Sequence, residues 1–111
     1  MSKELGDFVK ACIARGDAYE FDNIEESNKH ATDAYEIYKL LKSKNRLEEL
    51  KNLLRHEKPY VRLAAATYCL QFEDTRNDSE QILEELRKLK GNVKLEARMT
   101  LFVWRHGKLM F

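Results

Sequence analysis

A short segment of this chain occurs twice, and the spacing between the copies limits the folds open to it. Pro59-Tyr60-Val61-Arg62-Leu63-Ala64-Ala65 has a degenerate second copy, Val93-Lys94-Leu95-Glu96-Ala97, that begins 32 residues after Val61. In both copies an apolar residue, a base, a leucine and an alanine hold the same relative positions. A leucine-rich segment ending at Leu54 or Leu86 precedes each. Such a period is that of stacked helix pairs, in which each unit buries its apolar face only against its neighbours. Arrays of this kind are built to present a surface and seldom enclose a set of reacting groups, so the sequence speaks more directly to architecture than to activity.

Composition points the same way. Charged residues make up 35 % of the 111 residues, with one proline and four glycines, which favours long amphipathic helices over a turn-rich β fold. The length suits a single domain over 1–111 that buries somewhat over ~60 % of its unfolded surface, so the stability margin is expected to be modest. Cys12 and Cys69 stand among apolar neighbours, with no second cysteine two or three residues from either. They read as reduced residues filling core space. Met1 to Asp7 has no apolar run of the kind a secretion signal carries, and no segment approaches the ~20 apolar residues of a membrane span. A cytoplasmic location and no membrane association are the expectations.

Apolar spacing then divides the chain into helices. Leu5, Phe8, Val9, Cys12 and Ile13 follow i, i+3, i+4, i+7, i+8 on one stripe of a first helix, which Gly16 is expected to stop. Asp17 to Asp22 is either a turn or an additional helical turn. Asn23 followed by Glu26 has capping-box spacing and opens a second helix to about Ser43, with Ile24, Ala31, Ala34, Tyr35, Ile37, Tyr38 and Leu41 in one sector. Asn45 with Glu48 repeats that spacing before a third helix carrying Leu47, Leu50, Leu53 and Leu54 and ending near His56. Pro59 opens a fourth, because a proline in the first turn gives up an N–H that would have no intrahelical partner. Val61 to Phe72 is apolar nearly all round, as a central helix would be. A fifth helix, capped by Asp78 or Ser79, carries Ile82, Leu83, Leu86 and Leu89 and ends at Gly91. Asn92 caps a sixth, with Val93, Ala97, Leu101 and Trp104 on one apolar stripe, Leu95, Met99 and Phe102 on another, and Gly107 as its stop. Leu109, Met110 and Phe111 either dock or fray.

The element Pro59-x-Val61-Arg62-x-x-Ala65-Ala66 resembles the second helix of a HEAT-like repeat. The resemblance implies that its Val and Ala positions pack between helices and that the Arg supports the turn between repeats. The whole length also resembles a family of short bacterial proteins of unknown function, with two N-terminal helices, a Pro-x-x-Val-Arg-x-x-Ala-Ala repeat and an end near a tryptophan. The copy here is shorter than a typical HEAT repeat, and Glu96 stands where the first copy has Ala64. The expected fold is therefore all-α, about six helices in a HEAT-like right-handed stack of helix pairs. An N-terminal hairpin over 2–43 would cap one end, and two helix pairs would span 45–106.

Charge carries the functional expectations. Asp17, Glu20, Asp22, Glu25, Glu26, Asp33 and Glu36 face the single base Lys29 within 17–36, whereas Arg87, Lys88, Lys90, Lys94, Arg98, Arg105 and Lys108 face Glu96 alone within 87–108. Aromatic residues mixed with carboxylates suit a surface that meets a basic partner, so Tyr19, Phe21, Asp22, Glu25 and Glu26 are the candidate contacts. Tyr35 and Tyr38 are assigned to the core. Small bacterial helical-repeat proteins of this look often accompany toxin systems. The resemblance thus implies a non-enzymatic protein-binding module, with an immunity or antitoxin role in which the chain blocks a cognate basic toxin stoichiometrically. A rival reading takes Arg62, Lys94, Arg98 and Arg105 as a basic stripe for nucleic acid or phosphate, since Lys94, Arg98 and Arg105 lie within ~40° on the helical wheel. A third is a structural subunit that self-associates through an uncapped end of the stack. No cofactor or metal is expected, because His30, His56 and His106 are scattered and no nucleophile elbow, phosphate loop or dinucleotide fingerprint occurs.

Overall fold

Capping chemistry places the helices. The computed structural model describes residues 1–111 and consists of α1 (Lys3–Glu20), α2 (Ile24–Ser43), a 3-10 helix η1 (Leu47–Leu53), α3 (Pro59–Cys69), α4 (Arg76–Leu86) and α5 (Asn92–Arg105), without strands. None of the helices is long and apolar enough to cross a membrane. The chain divides into two units, Met1–Leu50 and Lys51–Phe111.

In the first unit, the Ser2 hydroxyl accepts the Leu5 N–H at 3.2 Å and starts α1. Of the stripe the spacing predicts, Leu5, Phe8 and Cys12 are buried and Val9 and Ile13 are half-buried, while Ala11, outside that stripe, is buried with them. Gly16 does not stop the helix: it lies buried inside α1, which continues to Glu20. A glycine within a helix costs about 1 kcal/mol relative to alanine. Here it sits beside the crossing with α2, where the Ser27 hydroxyl donates to the Arg15 carbonyl at 3.1 Å. The extra turn ends instead at Asp22, whose φ of 59° is left-handed. The Asp22 N–H donates to the Tyr19 carbonyl at 3.0 Å and the Asn23 N–H to that of Ala18 at 2.9 Å, the paired bonds of a Schellman motif. Asn23 then caps α2 by accepting the Glu26 N–H at 3.2 Å. The capping box is only half formed, because the Asn23 N–H is already committed to Ala18.

α2 buries Ser27, Ala34, Tyr38 and Leu41 against α1. Tyr35 is not a core residue as the wheel suggests: it is 50 % exposed, stacks on Tyr38 at 6.0 Å between ring centroids and lies under the Lys39 ammonium. The second predicted capping box is likewise replaced. Asn45, with φ 56°, terminates α2 in another Schellman motif, its N–H on the Lys42 carbonyl and the Arg46 N–H on that of Leu41. The following helix is 3-10 and not α. Leu47, Leu50 and Leu53 recur at a spacing of three, which lines up on a helix of 3.0 residues per turn.

In the second unit Pro59 occupies the first turn of α3, as expected, and Tyr60, Val61, Leu63, Ala65, Ala66 and Cys69 are buried. α3 stops at Cys69, short of Phe72. No glycine closes it; side chains from beyond do so, the Thr75 hydroxyl donating to the Cys69 carbonyl at 2.9 Å and Arg76 Nε to that of Leu70 at 3.0 Å. That use of Thr75 leaves α4 to begin at Arg76, ahead of Asp78 and Ser79, with Ser79 fully buried. α3 packs chiefly on α4, and α4 also packs on α5. Gly91, with φ 85°, is the N-cap of α5, and Asn92 is its first residue. Gly107 ends α5 in a third Schellman motif. Beyond it Phe111 docks edge-on to Trp104 at 6.4 Å, while Met110 is 91 % exposed.

Candidate protein-binding surfaces

α5 carries apolar residues on two sides, and only one side is used by the fold. Val93, Ala97 and Leu101 are buried. Leu95, Met99 and Phe102, one turn apart on the other side, are 53 %, 63 % and 59 % exposed. Together with Arg87 at the end of α4 and Arg98, Leu101, Arg105 and His106 on or next to α5, they line an open groove of about 760 Å³. Leu101 is the buried floor. Phe102 is held from behind by the His106 ring, 4.1 Å away between centroids, and His106 Nδ1 lies 2.8 Å from the Phe102 carbonyl.

The rim of this groove is cationic. Arg105 pairs with Glu84 at 2.7 Å and Arg87 approaches the same carboxylate oxygen at 3.4 Å. The hydrogen bond from Arg105 is the main cause that holds the Glu84 carboxyl below its ordinary range, so it stays ionised. One carboxylate thus serves two guanidinium groups, and Arg98 has no ion-pair partner.

Of the basic stripe expected from sequence, Arg98 and Arg105 line the groove and Lys94 is exposed outside it. Arg62 is elsewhere in function. Its guanidinium donates to the carbonyls of His56 at 2.9 Å and Glu57 at 3.0 Å, closing the turn before α3. Two of the four bases are therefore committed to internal partners.

At the α1–α2 connection in the first unit, Phe21 is 86 % exposed and Ile24 50 % exposed. Glu20, Asp22 and Glu25 surround them in sequence and are all exposed. The remaining candidates are engaged locally: the Arg15 guanidinium lies over the Tyr19 ring at 5.9 Å, and Glu26 pairs with His30 at 3.2 Å. Sequence reasoning passed over Ile24, Arg87, His106 and the Leu95-Met99-Phe102 stripe as contacts. The available signal was the second apolar stripe, more than a terminal helix needs to attach itself to one layer.

The cysteines offer no accessible nucleophile. Burial pushes the thiols of Cys12 and Cys69 up to about 12, and both are free and buried. No protein-family model, curated protein or solved structure matches the chain.

Proposed function

We propose that this protein is a protein-binding module whose principal contact surface is the groove on α5, and that it takes an apolar segment flanked by carboxylates. The observation that carries this reading is the exposure of Leu95, Met99 and Phe102 beside an arginine without a partner. Exposed apolar side chains in a continuous row gain free energy on burial, roughly 25 cal/mol per Å² of apolar surface. An arginine rim selects acidic partners and speeds their approach. Nucleic-acid binding is supported less, because Arg62 is spent internally, away from the groove, and the net charge is only +1.

The test is fluorescence anisotropy with a labelled amphipathic peptide helix bearing leucines at i, i+4 and i+7 and glutamates on either flank. Binding is expected to weaken with added salt and to be lost in Met99→Asp, with a lysine-flanked peptide failing to bind. Equal binding of both peptides, or indifference to Met99→Asp, removes the reading.

A second surface, the Phe21 tip, is favoured by the exposure of its aromatic ring between carboxylates. As an inhibitor of a basic toxin, the tip would place Asp22 and Glu25 where that partner holds phosphate. Charge reversal at Glu25 abolishing inhibition while Arg98→Glu leaves it intact is the result this version requires.

A further inference from the structure

Two features that the sequence places far apart are chemical complements. The groove on α5 is apolar at its centre and cationic at its rim, with Arg87, Arg98 and Arg105 around Met99 and Phe102. The connection between α1 and α2 is apolar at its apex and anionic around it, with Glu20, Asp22 and Glu25 around Phe21. From this match we infer that the occupant of the α5 groove is the Phe21 tip of a second copy of the chain, giving a head-to-tail association. The inference rests on the groove being a protein-binding surface.

Preorganisation supports it. Phe21 is held by backbone bonds on both sides, its own N–H on the Asp17 carbonyl and those of Asp22 and Asn23 on Tyr19 and Ala18. Little backbone freedom is then lost when the ring is captured. The groove of about 760 Å³ accommodates an aromatic ring with Ile24 beside it. Charge also selects between modes of self-association. A symmetric contact of α5 with α5 would set the unpaired Arg98 and the Arg105 of one copy against the same arginines of the other, whereas the tip brings carboxylates to them. The contact is small, so association is expected to be weak.

Sedimentation equilibrium tests this with the full chain. The weight-average mass should rise from that of the monomer as concentration increases from about 10 µM to about 1 mM, the range proper to a contact smaller than a standard interface. Phe21→Ser and Met99→Asp, both at exposed positions, should each remain monomeric alone, with the helical circular dichroism of the parent. Mixed in equal amounts, they retain one intact groove and one intact tip between them, and the mass should stop at the heterodimer. Only a head-to-tail contact produces that restoration.

A wild-type mass that stays monomeric throughout overturns the inference, as does a Phe21→Ser variant that still associates. If the wild type is monomeric while the glutamate-flanked peptide binds and is lost in Met99→Asp, the groove reading stands and only the second-copy occupant is wrong. If neither happens, both fail.

Discussion

The Ser27 hydroxyl and the Arg15 carbonyl are 3.1 Å apart, a hydrogen bond between α1 and α2 with Gly16 next along α1. Two helices meet at this distance only where side chains at the crossing are small. Ser27→Leu or Gly16→Leu is expected to destabilise the protein by about 1–3 kcal/mol through overpacking. Ser27→Ala should cost only about 1 kcal/mol, the net value of one hydrogen bond. Urea titrations followed by circular dichroism check both, and equal effects of alanine and leucine at 27 would show that the crossing has room to spare.

Asp22 and Asn45 hold left-handed backbone that favours glycine, at φ 59° and 56°. Replacement by glycine should be neutral or stabilising by a few tenths to about 1 kcal/mol, with less gained at Asn45 because asparagine tolerates this region better. Replacement by valine at either site should destabilise by about 1–2 kcal/mol. Thermal melts of the four variants order the two sites.

Cys12 and Cys69 should be inert in the native state. With both thiols buried and pushed up to about 12, almost no thiolate exists near neutrality. An aromatic disulfide reagent at about pH 8 should therefore label two equivalents only after denaturant is added. Immediate labelling of either thiol in the native protein would contradict its burial.

Arg46 ties the start of α1 to the residues after α2. Its guanidinium donates to Glu4 at 2.6 Å and to both oxygens of Glu49, which also accepts the Ser2 hydroxyl at 2.8 Å. The hydrogen bond from Arg46 is the leading cause that lowers both carboxyls below 4.5. A lowered native pKa means that the carboxylate contribution is fully present above the unfolded value and is lost as pH falls through the native one. Melting temperature should fall in acid below about pH 4.5, and Arg46→Met should flatten that part of the curve while leaving the contributions of Asp74 and Glu84. An unchanged acid slope in Arg46→Met would assign the loss to other groups.

Met99 and Phe102, both more than half exposed, contribute little to folding. Met99→Ser should alter stability by no more than about 0.5 kcal/mol, as surface substitutions do. The buried Leu101→Ala, two residues away, should cost about 2–5 kcal/mol. Comparable losses in the two variants would mean that Met99 is packed.

Several features of the fold were legible because they depend on neighbours in the chain. Pro59 marks a helix start through its missing N–H, Asn23 caps α2 with its side chain, and Gly107 supplies the left-handed residue after α5. Where expectation and structure part, a single residue had two local uses. Gly16 could end a helix or thin it, and Asn45 could open a helix or close the preceding one. Thr75, short of either proposed cap, was drawn to the Cys69 carbonyl.

The candidate surfaces divide in the same way. Segregation of charge, the exposed Phe21 and the alignment of Arg98 with Arg105 all follow from residue order and helical periodicity. Whether Val93-Ala97-Leu101 or Leu95-Met99-Phe102 would be buried did not, since both rows are apolar and a helical wheel ranks them alike. Packing against α4 and α3 made that choice, because only one side of α5 meets those neighbours. The sequence alone determined that this chain is helical and which apolar residues recur at helical spacing, because capping and periodicity are local interactions. The tertiary structure decided which apolar row was left in water beside an unpaired arginine, because burial depends on partners distant along the chain.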